Sequence, residues 1–138
     1  MQMSDRELYE KAVEAREKSY SPYSHFQVGA ALLTAAGKVY LGCNIENAAY
    51  TPTVCAERTA FFKAVSEGER QFEAIAIAGG AQSAETLDYC PPCGVCRQVM
   101  KEFCNEEQFA VILGKSSGEI RKFRLKELLP MGFGPDRL

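Results

Sequence analysis

With 138 residues, 46% of them apolar and 25% charged, the chain has the composition of one globular domain spanning residues 1–138. A net charge of −2 argues against a polynucleotide partner, because tracking phosphates requires a basic surface. No apolar run approaches the ~20 residues of a membrane span. The opening Met1-Gln2-Met3-Ser4-Asp5-Arg6-Glu7 is polar, so a cytoplasmic protein acting on a small molecule is expected.

Ser4 followed by Glu7 has the spacing of a capping box, and Leu8, Ala12 and Ala15 recur at helical intervals, so a first helix is expected over about residues 4–19. Ser21-Pro22-Tyr23-Ser24 breaks it. Residues 26–33 and 38–41 read as strands of a hairpin around Ala35-Ala36-Gly37. A loop bearing Gly and Asn follows over 42–52. Thr53 suits the N-cap of a second helix whose apolar side carries Ala60, Phe61, Ala64 and Val65, with Gly68 at its end.

Residues 72–78 form a near-continuous apolar run, the pattern of a strand buried on both faces, and Gly79-Gly80 opens the next loop. Another helix is expected from about Cys93. Residues 109–113 and 119–124 read as strands around Ser116-Ser117-Gly118, the second more exposed. Residues 126–129 suit a short helical turn before a Gly- and Pro-rich tail. This order implies a three-layer α/β/α fold with a mixed five-stranded sheet.

Six cysteines in a chain with no secretory signature point to metal binding rather than to disulfides. Cys55-Ala56-Glu57 and Cys93-Gly94-Val95-Cys96 together supply three thiols and one carboxylate beside the first of them. Four protein ligands close a zinc site, whereas three leave a position for water, and a carboxylate that does not bind the metal can then move protons. Two registers overlap, since Cys90-Pro91-Pro92-Cys93 has the same spacing. The second unit is favoured because Pro92 can end the loop and a helix from Gly94 puts thiols at i and i+3 on one face. The prolines hold the first unit extended. Spacing alone also leaves open a closed structural site with Cys43 as a fourth thiolate. Both metal-bearing segments fall at expected helix N-termini, where free N–H groups and the helix dipole stabilise thiolates.

The cysteine blocks do not stand alone. Ser21-Pro22-Tyr23-Ser24, Phe26-Gln27-Val28-Gly29-Ala30-Ala31-Leu32, Gly42-Cys43-Asn44-Ile45-Glu46-Asn47-Ala48-Ala49-Tyr50, Cys55-Ala56-Glu57-Arg58, Pro92-Cys93-Gly94-Val95-Cys96-Arg97-Gln98 and Leu128-Leu129-Pro130 leading to Phe133-Gly134-Pro135 occur in order. Along nearly its whole length the chain resembles the cytidine deaminase family, of the small-subunit homotetrameric type. The resemblance implies a cytidine deaminase-like fold and one Zn2+ per subunit held by Cys55, Cys93 and Cys96. It makes Glu57 the proton shuttle, and it has Arg58 hydrogen-bonding to thiolate sulfurs and withdrawing charge from them. Cys90 and Cys104 then need no role, and small buried hydrophobes suit both. His25, the only histidine, lies outside every matching block.

Asn44 and Glu46 lie two apart on an extended stretch and so share a face, and an amide with a carboxylate is good equipment for gripping sugar hydroxyls. In the resembling family the matching pair binds the ribose. A carboxylate at Glu46 would also repel a 5′-phosphate, which favours a nucleoside. The resemblance brings Phe26, Ala48, Tyr50 and Ala56 into the pocket as well, and it stacks Phe133 on the pyrimidine bound by an adjacent subunit. As isolated aromatics, Phe26 and Tyr50 would more often be core residues. The implied activity is hydrolytic deamination of cytidine and 2′-deoxycytidine to the uridines with release of ammonia, a step of pyrimidine salvage. The alternatives are a structural zinc or thiol-redox module, and a deaminase of blasticidin-like nucleoside antibiotics, against which the Asn44/Glu46 pair and the Phe133 tail weigh.

Overall fold

A computed structural model describes residues 3–138. Helix α1 (Asp5–Arg16) starts at the expected capping box: Ser4 Oγ accepts the Glu7 N–H at 3.1 Å and Glu7 Oε1 accepts the Ser4 N–H at 3.0 Å. It ends earlier than its apolar spacing suggests. The Tyr20 N–H donates to Asn44 O at 3.0 Å, and this bridge to a distant segment draws the chain out of the helix.

Strands β1 (Phe26–Thr34) and β2 (Val39–Cys43) form the hairpin, with Gly37 at φ +95° in its turn, a conformation that favours glycine. Helix α2 (Ala56–Ser66) has Cys55, not Thr53, at its N-cap. Thr53 Oγ1 instead accepts the Asn47 N–H at 3.0 Å, and Val54 is bridged to Ile45, which keeps the chain extended up to Cys55. Strand β3 (Phe72–Ala81) runs through Gly79 and Gly80, where the sequence suggested a loop. Pairing with β1 overrides the local preference of the glycines, with Val28 opposite Gly79 and Gln27 opposite Gly80. Helix α3 (Gly94–Phe103), strands β4 (Ala110–Gly114) and β5 (Ile120–Arg124) and the short helix α4 (Leu125–Leu128) complete the order.

The five-stranded sheet has the order β2-β1-β3-β4-β5; β3 and β4 are parallel and the other neighbours antiparallel. Successive side chains on a strand point to opposite faces. Ala31, Leu33, Ala74, Ala76 and Ile112 accordingly meet Leu8, Tyr9 and Ala12 of α1. Leu32, Ile75, Ile77 and Val111 meet Phe61 of α2 and Met100 of α3 on the other side. The expected three layers are present. The helices lie close to the sheet because glycines admit them: a Cβ on Gly29 would sit 2.1 Å from Ala12 O, and one on Gly42 would sit 2.4 Å from Ala56 O.

Because β2 and β3 are both antiparallel to β1, and β4 is parallel to β3, these three strands point the same way. Helices α2 and α3 follow β2 and β3 in the chain, so both begin near the C-terminal ends of those strands. That end of an open α/β sheet is where ligand sites are built. None of the described helices is long and apolar enough to cross a membrane.

Candidate metal centre and active site

Cys55 and Cys93 are the N-cap residues of α2 and α3, each with extended backbone and neither using its thiol to cap the helix. Cys96 lies in the first turn of α3 and is buried. The three Sγ atoms lie within 4.8 Å of one another, and Cys55 Sγ is 3.7 Å from Cys93 Sγ. A tetrahedral zinc ion with sulfurs at about 2.3 Å places them about 3.8 Å apart. The cluster therefore fits a zinc ion by donor chemistry and by spacing. Among the described residues neither Cys43 nor Cys90 joins it. This selects the Cys93/Cys96 register and removes the fourth thiolate of a closed structural site. Cys90 packs its sulfur against Gly79, where a Cβ would come within 2.6 Å of it, and burial pushes its thiol up to about 11. Burial likewise raises the Cys43 and Cys104 thiols.

Without a metal, the electrostatics put a thiolate at Cys55 and keep Cys96, which donates to it and is buried, as the thiol. The Cys55 thiol is held down at about 5, chiefly by a hydrogen bond from Cys96, with Arg58 and Cys93 contributing against the cost of burial. Arg58 Nη2 donates to Cys55 Sγ at 3.3 Å. Arg58 is half-buried rather than a surface arginine, and its contacts with Cys55 and Cys96 keep it cationic in spite of desolvation. Glu57, two residues from Cys55, is only 4% exposed. Burial pushes its carboxyl up to about 7, and negative charge on Cys55 adds to the effect. Cys55 lies before the helix with extended backbone, so the spacing that separates i and i+2 on a regular helix does not govern Cys55 and Glu57. Ala56, between them, is fully buried under Gly42.

The Asn44 side chain bonds to Ser19 and to the start of β1, and that of Glu46 bonds to the segment between α1 and β1. Asn44 Oδ1 accepts from Val28 N at 2.9 Å and from Ser19 Oγ at 2.5 Å, and Nδ2 donates to Phe26 O at 2.8 Å, leaving one amide hydrogen uncommitted by these bonds. Glu46 Oε1 accepts the N–H groups of Tyr23 at 3.0 Å and Ser24 at 3.1 Å, while Oε2 accepts the Ser24 hydroxyl. These bonds, that of the Ser24 hydroxyl foremost, hold the Glu46 carboxyl below its ordinary range. Phe26 is 42% exposed, Tyr50 72% and Phe133 60%, so none of the three is a core residue. Ala48 is exposed on the same loop as Tyr50, and His25 is exposed beside Phe26. The tail carrying Phe133 is tied to α3, where Gln98 Nε2 donates to Phe133 O at 2.8 Å.

Zinc-binding deaminases are the family whose model matches. The model of the cytidine and deoxycytidylate deaminase zinc-binding region fits residues 2–112. The chain belongs to that family. It is 48% identical to a cytidine deaminase of Sporosarcina psychrophila, covering 99% of this chain and 96% of the relative. It is 51% identical to a cytidine deaminase of Halalkalibacterium halodurans, covering 95% of each. The crystal structure of cytidine deaminase from Burkholderia pseudomallei superposes with a TM-score of 0.85 at 46% identity, covering 95% of this chain and all of that one. The α/β architecture is thus that of this deaminase family, and the cysteine cluster lies within the zinc-binding region that the family model matches.

Two contacts of the site were not legible beforehand. Arg97 donates from Nε to Pro92 O at 2.7 Å and from Nη1 to Leu128 O at 2.7 Å, fixing the loop before Cys93 against α4. Ser24 holds Glu46 from 22 residues away. Both residues stand in blocks of the family pattern, but nothing local indicates their partners. A cavity of about 520 Å³ lies at the N-terminal end of α1 and is lined by residues such as Asp5, Leu8, Leu33 and Glu73; it includes none of the site residues.

Proposed function

We propose that this chain deaminates cytidine and 2′-deoxycytidine hydrolytically to the corresponding uridines, releasing ammonia, as a step of cytoplasmic pyrimidine salvage. The observation that carries the proposal is the three-thiol cluster with a buried carboxyl two residues from one of its members. It occurs in a chain similar to cytidine deaminases over nearly its whole length. Cys55, Cys93 and Cys96 would hold one zinc ion, which when bound supplies Lewis-acid activation of water.

Glu57 carries the protons. Its carboxyl is buried two residues from Cys55, where it can accept a proton and pass it on without itself binding the metal. It takes one proton from the attacking water and delivers it to N3 of the cytosine ring as the C4–O bond forms. It then moves the water's second proton to the exocyclic nitrogen as the C4–N bond breaks, so water and cytidine become uridine and ammonia. Arg58, bonded to Cys55, draws negative charge from the sulfurs. Asn44 and Glu46 receive the sugar, while Phe26, Ala48, Tyr50 and Ala56 surround the base.

The active unit in this reading is a homotetramer of single-domain chains. Its support is that Phe26, Tyr50 and Phe133 are left exposed on a lone chain, with Tyr20, Tyr23 and Ile45 exposed nearby in sequence. An apolar set of this kind suits burial against further copies, with Phe133 of one copy lying over the base held by another. The reading is tested by following the loss of cytidine ultraviolet absorbance with zinc measured on the same sample. Turnover with about one zinc per chain is expected. A zinc-loaded, folded protein inert toward cytidine and deoxycytidine would refute it.

A further inference from the structure

Glu46 is held more firmly than a half-exposed carboxylate on a loop requires. An ionised carboxylate offers about four lone-pair directions. Tyr23 and Ser24 N–H groups take both on Oε1, and the Ser24 hydroxyl takes one on Oε2. One direction on Oε2 remains for a ligand. Since the group accepts only, that ligand must bring an O–H or N–H donor.

The same serine works in a second direction. Ser24 Oγ accepts the Phe26 N–H at 3.0 Å, so one hydroxyl joins the Glu46 carboxylate to the aromatic residue at the head of β1. Between them His25 takes φ +57°, and its carbonyl accepts the Gln82 N–H at 2.6 Å. Non-glycine residues adopt this region uncommonly, and such a conformation persists where its surroundings over-determine it. The chain reversal at His25 is what lets a single side chain reach both partners.

We propose that Ser24 is a positioning residue, aiming the one free lone pair of Glu46 Oε2 at a sugar hydroxyl and so setting how strongly turnover depends on that hydroxyl. The proposal rests on the reading that this chain deaminates cytidine. Without the Ser24 hydroxyl, Oε2 has no protein partner and the carboxylate is held at one oxygen only, free to turn about it. The loss then falls on substrates that use Glu46.

The test compares cytidine with 2′,3′-dideoxycytidine, which lacks both ring hydroxyls, on the zinc-loaded enzyme. Ser24→Ala is expected to raise KM for cytidine roughly ten- to a hundredfold with kcat little changed, as for loss of a bond to a charged group that acts in binding. For the dideoxy substrate the loss in kcat/KM should be at least severalfold smaller than for cytidine, since of the two bonds of the Ser24 hydroxyl only that to the Phe26 N–H bears on the base. Ser24→Thr, which keeps the hydroxyl, should restore the cytidine KM. Equal loss on both substrates would mean that Ser24 only maintains the fold of the loop, and no loss on either would mean that Glu46 needs no aiming; each overturns the proposal. A parent enzyme that leaves cytidine untouched would instead overturn the deaminase reading itself, and this proposal with it.

Discussion

Replacing Glu57 by Gln in the zinc-free protein should stabilise it, and only above a certain pH. Glu57 titrates at about 7 in the folded chain against 4.5 ordinarily, because burial penalises its charged form. Below pH 4.5 the carboxyl is neutral in folded and unfolded chains alike, and its burial makes no pH-dependent contribution. Above that, the unfolded chain gives up a proton that the folded chain keeps, so stability falls as pH rises until the folded carboxyl ionises near 7. At about 1.4 kcal/mol per tenfold change in acidity, the loss by pH 8 is roughly 3 kcal/mol. Gln occupies nearly the same volume and does not titrate. The variant should therefore match the parent's pH-independent baseline near pH 4 and be more stable by roughly 3 kcal/mol at pH 8. Cys55, held at about 5, titrates in both proteins, and its repulsion of the ionised Glu57 is part of the difference measured. The assay is urea unfolding of both proteins at a series of pH values, with chelator and reductant present and protein concentration fixed. A difference in stability that does not change between pH 4 and 8 would show that the buried carboxyl is not the strained group described here. With zinc restored, the same variant should keep its metal and lose ~10²–10⁴-fold in turnover.

Three further outcomes are expected. Elemental analysis should find zinc absent from Cys96→Ala and present in Cys90→Ala, since only Cys96 belongs to the thiol cluster; the reverse result would mean that the other cysteine register is the functional one. Gly42→Ala should lower stability in urea unfolding by about 1–3 kcal/mol and reduce zinc occupancy, because its Cβ would meet the Ala56 carbonyl oxygen at 2.4 Å and push the start of α2 away from the sheet. Phe133→Ala should raise KM, stacking on a base being worth ~1–3 kcal/mol, and keep its zinc. Co-refolding that variant with Glu57→Gln chains should recover activity in mixed oligomers, and proven hybrids without recovery would count against a shared site.

Much of this protein could be read before any coordinates, because the relevant physics is local. The Ser4–Glu7 capping box starts α1, Gly37 turns the first hairpin, and the apolar run from Phe72 forms a strand buried on both faces. The cysteine spacing and the neighbouring carboxylate pointed to a zinc hydrolase, and the ordered blocks pointed to its family. Boundaries were less legible where a distant partner overrides local preference. Thr53 has the chemistry of an N-cap, but a bond from Asn47 engages its hydroxyl and Cys55 takes the position. Gly79 and Gly80 have the composition of a loop, but pairing with Val28 and Gln27 keeps them in the sheet.

Residue types and their spacing were enough to state which chemistry this chain can perform, since thiols, carboxylates and amides carry their donor and acceptor properties wherever they stand. They did not decide which groups meet. Cys90-Pro91-Pro92-Cys93 and Cys93-Gly94-Val95-Cys96 are equivalent as spacings, and Cys96 joins Cys55 because α2 and α3 both start at the same end of three strands that point one way. Glu57 is an ordinary first-turn acid in the sequence, and its carboxyl is pushed up to about 7 because the fold buries it beside Cys55. The serine that holds Glu46 is equally silent in one dimension. Proton affinity and aim are set by desolvation and by neighbours brought from elsewhere in the chain, and those exist only once the sheet and its helices have closed around them.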